Sequence, residues 1–102
     1  MKIYLDDWRP CPEGYVVARN FKEFQRLMIN NDDISHISLD YDLDDYKWNG
    51  LGVCKWMVEC EFVPKNINIH STHSGGKQML EYLMENVSKD VVLTYQGQIM
   101  QR

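Results

Sequence analysis

Two short apolar runs in this chain end abruptly in carboxylates: Lys2-Ile3-Tyr4-Leu5 runs into Asp6 and Asp7, and Ile37-Ser38-Leu39 runs into Asp40-Tyr41-Asp42. Apolar residues fill a sheet interior and unpaired carboxylates cannot be buried there, so each run reads as a strand whose carboxyl end opens into a site. If the two strands are parallel neighbours, Asp6, Asp7, Asp40 and Asp42 converge on one small volume. Such a cluster repels itself unless a cation or protons neutralise it, which points to a metal site. A third run, Asn66-Ile67-Asn68-Ile69, leads into His70-Ser71-Thr72-His73-Ser74-Gly75-Gly76-Lys77. Ser74 can cap the helix that follows, and the N–H groups of Gly75 and Gly76, with no side chains in the way, suit either an anion or a plain helix start. Arg9 falls near the same edge, where it can pair with Asp6 or Asp7 or grip a phosphate with a bidentate fork.

Elements to position these groups follow from the periodicity. Tyr15 to Ala18 reads as a strand. Asn20 with Glu23 resembles a capping box, opening a helix with Phe21, Phe24, Leu27 and Met28 on its core face. Leu51, Cys54, Met57 and Val58 mark a second helix, capped by Asn49 and ending near Phe62 before Pro64. Met79, Leu80, Leu83, Met84 and Val87 stripe a third. The last strand is Val91 to Tyr95, with Gln96-Gly97-Gln98 leading to a polar tail. Asp32, Asp33 and His36 lie at the other end of the Asp40 strand and read as solvated or structural. The loop from Tyr41 to Gly50 is long for a plain connection; it lacks the twelfth-position Glu of a calcium loop, and its Tyr46 and Trp48 either stack on a base or cover their own core. Five strands alternating with three helices imply a parallel sheet covered on both faces, with ligands outside the carboxyl ends of the strands.

The totals agree with one compact domain over residues 1–102, with 44% hydrophobic and 25% charged residues. A net charge of -4 argues against gripping an extended nucleic-acid backbone, which requires a basic surface. Three cysteines without a CxxC pair suggest a reduced, cytoplasmic setting. The acids near the start leave no room for a signal peptide, and no stretch is long enough to span a bilayer.

The constellation resembles a receiver domain, the flavodoxin-like fold of response regulators. Asp6 and Asp7 match the acidic pair after strand one, Asp40 the aspartate after strand three, and Ser71 the hydroxyl residue after strand four. The lysine that receivers place after strand five is missing from Leu93-Thr94-Tyr95-Gln96, which speaks against Asp40 accepting a phosphoryl group. The fuller motif set is similar to the cyclic-phosphate-processing receiver-like family: Leu5-Asp6-Asp7-Trp8-Arg9-Pro10-Cys11-Pro12-Glu13-Gly14, Ser38-Leu39-Asp40-Tyr41-Asp42-Leu43, Asn49-Gly50, His70-Ser71 and Gly76. Asp44 stands where that family commonly has glycine, and His73 where it commonly has asparagine.

The resemblance implies a single α/β receiver-like domain with a five-stranded parallel sheet in the order 2-1-3-4-5. It further implies metal-dependent cleavage of cyclic phosphates, such as the 2′,3′-cyclic ends of RNA or cyclic nucleotides. Asp6, Asp7, Asp40 and Asp42 would hold Mg²⁺ or Mn²⁺, neutralising the phosphoryl group and acidifying a water. His70 would be the general acid or base beside Asp40 and Ser71, while Arg9, Gly75, Gly76 and Lys77 would bind phosphoryl oxygens. The missing lysine and the loop aromatics also fit a non-catalytic module that docks a protein partner or sequesters a cyclic nucleotide.

Overall fold

The computed structural model describes all 102 residues. The elements follow the order β1 (Lys2–Leu5), β2 (Val16–Ala18), α1 (Phe21–Asn30), β3 (His36–Leu39), α2 (Gly50–Glu59), β4 (Asn66–Ile69), α3 (Gly75–Asn86), β5 (Val92–Tyr95) and β6 (Gln98–Ile99). The sheet order is β2-β1-β3-β4-β5-β6, parallel throughout except for the β5–β6 pair. This is the receiver-like α/β fold expected of the sequence, with a sixth strand in place of a polar tail. Gln96 and Gly97 both have positive φ, +49° and +83°, and together form a two-residue loop that turns Tyr95 back onto Gln98. Positive φ at both loop residues matches the right-handed twist of a hairpin, and glycine bears it without strain.

The helices do not divide between the two faces as expected. The crossovers through α1, α2 and α3 all run in the same direction across the sheet, and right-handed crossovers of one direction place their helices on one side. Trp56 of α2 accordingly packs edge-on against Phe21 and Phe24 of α1, and α2 lies along α3. Beneath this layer Ile3, Leu5, Ile37, Leu39, Ile67, Ile69 and Leu93 are almost completely buried and form the core. Only β1→β2 runs the other way, and it does so through the loop from Asp6 to Tyr15 rather than through a helix. The strand positions facing that way are Tyr4, Ser38, Asn68 and Thr94, which lie side by side in register.

Local signals account for the helix ends. The Asn20 side chain accepts from the Glu23 N–H at 2.9 Å, while the Glu23 carboxylate reaches the Arg19 N–H, one residue before the cap. Asn49 caps α2 by accepting from the Gly52 N–H. That helix stops at Glu59, short of Phe62, because Glu61 turns left-handed at φ +60° and folds Phe62 back so that its N–H meets the Met57 carbonyl. Ser74 makes no side-chain cap; His73 takes that role, its Nδ1 accepting the Gly75 N–H at 2.9 Å. No helix is long and apolar enough to cross a membrane.

Candidate functional site

The parallel register of β1, β3 and β4 brings three strand ends together, so that Asp6, Asp40 and His70 offer ligand atoms within 4.8 Å of one another. Asp6 is completely buried. Its Oδ1 accepts the backbone N–H groups of Trp8 and Arg9, both at 2.9 Å, and its Oδ2 accepts from Arg9 Nη1 and faces His70 Nε2, again at 2.9 Å. Burial alone would raise its pKa. The backbone N–H groups of Arg9 and Trp8, joined by the His70 and Arg9 side chains, outweigh burial and bring it down to about 2. Asp6 is thus an ionised anchor with both oxygens engaged by protein donors, and its carboxylate lies with Asp40 and His70 in the one group whose ligand atoms converge.

His70 is likewise engaged at both ring nitrogens. Because Asp6 is ionised, Nε2 donates to it, and Nδ1 accepts from the Ser38 hydroxyl at 2.7 Å. Ser38 in turn accepts from Asn68 Nδ2, and Asn68 Oδ1 accepts from Thr94 and from the Gly97 N–H. The ring also stacks on Tyr4 with 4.4 Å between centroids. Burial, more than the opposing pull of Asp6, pushes the His70 pKa down and favours the neutral ring. In this arrangement His70 has no nitrogen to offer a substrate. What the geometry gives it here is a positioning contact to Asp6.

A cavity of about 210 Å³ opens beside these groups, lined among others by Asp7, Arg9, Asp40, Asp42, Ser71 and His73. Asp40 Oδ1 accepts the Tyr41 N–H at 2.8 Å, and Oδ2 lies 3.4 Å from Arg9 Nη1. Its pKa is raised, first by burial and then by the charge of Asp6. The Asp7 pKa is raised too, mainly by burial, with the charges of Asp6, Asp40 and Asp42 adding to it. Asp7 Oδ1 is a buried oxygen without any hydrogen-bond partner. An unpartnered carboxylate oxygen beside other acids is what a hard divalent cation would satisfy, and Asp7 shares this cavity with Asp40 and Asp42.

Arg9 realises both of its expected roles in part: Nη1 pairs with Asp6 and approaches Asp40, while its other guanidinium N–H groups keep no partner in the protein. Arg19, not anticipated from the sequence, braces this loop by donating to the carbonyls of Arg9 and Asp6. Gly75, Gly76 and Lys77 do not reach the cavity. The Gly75 N–H is taken by His73 Nδ1 and the Gly76 N–H by the His73 carbonyl, so neither is free for an anion, and Lys77 is exposed on α3. Gly75 serves packing instead: a Cβ there would overlap the Tyr41 ring.

His73 is the residue that the sequence reading passed over. Its backbone N–H donates to Ser71 Oγ, its ring stacks on Tyr41 at 4.6 Å, and with Nδ1 accepting from Gly75 the ring proton sits on Nε2. Its place in the commonly asparagine position was the available signal, since both side chains present an N–H donor. Asp44, in the commonly glycine position, has φ +50°, the left-handed conformation that glycine adopts freely. Trp48 covers the core against Phe21, whereas Tyr46 is fully exposed and does not line the cavity.

No match was found among curated proteins or solved structures. Residues 1–86 match the family model described as the cyclic-phosphate processing receiver domain. Asp6, Asp40 and His70, the strand-end residues held together here, all lie within that span, and the chain belongs to this family.

Proposed function

We propose that the protein is a metal-dependent phosphoesterase that opens cyclic phosphates, including cyclic nucleotides and the 2′,3′-cyclic ends of RNA. The observation that carries this reading is the buried, unpartnered Asp7 Oδ1 in a cavity shared with Asp40, Asp42, Arg9 and His73. A Mg²⁺ or Mn²⁺ ion bound by Asp7, Asp40 and Asp42 would supply positive charge against the phosphoryl oxygens and acidity for a water. The free N–H groups of Arg9 and the Nε2–H of His73 donate to the non-bridging oxygens, and Ser71 adds a hydroxyl. Asp6, held by His70, keeps Arg9 in place through the ion pair at 2.9 Å.

Hydrolysis forms one P–O bond from water and breaks one P–O bond of the ring. The water loses a proton and the released ring oxygen gains one, both exchanged with solvent at the open mouth of the cavity. The product is a phosphomonoester.

Turnover of 2′,3′-cyclic AMP with Mg²⁺ or Mn²⁺ tests the reading. We expect loss of activity on adding EDTA and a drop of at least 100-fold in Asp40→Asn and in Asp7→Asn. Retained turnover in Asp40→Asn sinks the mechanism. Because the pKa values of Asp7 and Asp40 are raised, protons compete with the metal, and affinity for Mg²⁺ rises with pH as these carboxyls ionise. Calorimetry in buffers of different ionisation enthalpy reads the protons released.

One observation favours a second reading, a non-catalytic binding module: Arg9 already places a cation between Asp6 and Asp40. Stoichiometric binding of a cyclic nucleotide without metal and without turnover would select it.

A further inference from the structure

We propose that the ligand is a nucleotide whose base stacks on Trp8, with only its phosphate and adjoining ribose entering the acidic cavity. This rests on the phosphate-binding reading above and names the substrate class for that site. At about 210 Å³ the cavity falls below the roughly 300–1,000 Å³ of pockets that enclose whole drug-sized ligands, so part of any larger ligand must lie outside. Its lining is polar apart from one residue, the indole of Trp8.

Trp8 is 70% exposed, although tryptophan is ordinarily among the most buried residues on average. The exposure is not looseness. The Trp8 and Arg9 N–H groups are both clamped to Oδ1 of the completely buried Asp6, and Pro10 stiffens the loop two residues on. The Arg9 guanidinium carbon lies 5.4 Å from the centroid of the indole, so the residue that faces the phosphate also supports the ring.

A rigid aromatic surface next to a phosphate-sized polar hole is complementary to a group that is flat, apolar on its faces and one sugar away from a phosphate. A nucleobase has that chemistry. The acidic chain, at net charge -4, suits a mononucleotide or a strand terminus, not a long phosphate backbone. Stacking of a base on an aromatic side chain corresponds to about 5- to 150-fold in affinity.

Calorimetric titration of the full chain in Mg²⁺ with inorganic phosphate, ribose 3-phosphate and adenosine 3′-monophosphate tests this, in the wild type and in Trp8→Ala and Trp8→Phe. Product-like ligands are chosen so that turnover does not interfere, and thermal melts check that the variants are folded. The expected result is that the nucleotide binds at least 5-fold more tightly than ribose 3-phosphate, that Trp8→Ala erases the difference, and that Trp8→Phe keeps most of it. Equal affinity for nucleotide and sugar phosphate in the wild type overturns the proposal, as does nucleotide affinity unchanged in Trp8→Ala; either result, with inorganic phosphate still bound, leaves the phosphate site standing and assigns Trp8 to a sugar or a protein partner. No binding of inorganic phosphate at all overturns the phosphate-site reading and this proposal with it.

Discussion

The two faces of the sheet are built on opposite principles. On the helix side Ile3, Leu5, Ile37, Leu39, Ile67, Ile69 and Leu93 alternate inward and are almost wholly buried, so the interaction is non-directional and grows with the apolar area removed from water. On the other side, one residue along each strand, Ser38, Asn68 and Thr94 form a chain of directed hydrogen bonds with His70, and no helix covers them. The first face holds the strands together. The second carries orientation from the β5–β6 hairpin to Asp6: Gly97 N–H and Thr94 fix Asn68, Asn68 fixes Ser38, Ser38 fixes the His70 ring, and His70 fixes Asp6. Stability and site geometry are therefore assigned to different faces of one set of strands, and substitutions should separate them.

The largest effect is expected on the apolar face. Leu39→Ala removes a completely buried side chain from the central strand and should cost about 2–5 kcal/mol, read as a fall in the urea midpoint. Provided the variant folds, Mg²⁺ affinity should change little; a selective loss of metal binding at unchanged stability would break the division. Next comes Asp6 at the junction of the two faces. Its folded pKa of about 2 lies below the model value of 3.8, so its contribution is fully present above pH 4 and is lost as pH falls through 2. That difference is worth about 2 kcal/mol, and Asp6→Asn should remove most of this pH dependence from stability measured between pH 2 and 5. His70 adds a smaller effect of the same sign nearer neutrality: its folded pKa is lowered, so stability falls as pH drops below the usual histidine value of about 6.5.

On the polar face Asn68→Ala leaves Ser38, Thr94 and the Gly97 N–H short of partners and should cost about 1–3 kcal/mol. Its distinguishing effect is on the ring of His70. The Nδ1 resonance should shift in Asn68→Ala and stay put in Leu39→Ala; an unmoved resonance would mean that the hydrogen bonds of Asn68 do not orient the ring.

The apolar face was legible in the sequence because a period of two leaves a strong pattern, and the strand ends were legible because apolar runs stop at Asp6, Asp40 and His70. The polar face was not. Ser38, Asn68 and Thr94 each look like ordinary outward strand residues, and only the register of β3, β4 and β5 makes them neighbours. The same blindness hid the surroundings of the histidines: that the His70 ring meets Ser38 and Asp6 while His73 lines the cavity depends on contacts 32 and 64 residues apart in the chain. The expected second helical layer failed for a different reason. Counting helices does not reveal the direction of each crossover, and with β1→β2 made by a loop, all three helices fall on one side.

The smallest effect separates the hairpin from the hydrogen bonds it anchors. Gly97 has φ +83° and open space where a Cβ would stand, so Gly97→Ala meets no clash and pays only for backbone strain. A left-handed conformation costs a residue with a side chain about 1–2 kcal/mol, and relaxation of this exposed turn should bring the loss to about 1 kcal/mol. Alanine keeps the N–H that donates to Asn68 Oδ1 at 3.1 Å. If orientation truly passes through that bond, Gly97→Ala should lower stability slightly while the His70 resonance stays at its wild-type position, the reverse of what Asn68→Ala does for the ring. A resonance that moved as far in Gly97→Ala as in Asn68→Ala would mean that the hairpin's backbone shape, more than the Asn68 side chain, sets the histidine, and the polar face would then extend into β6.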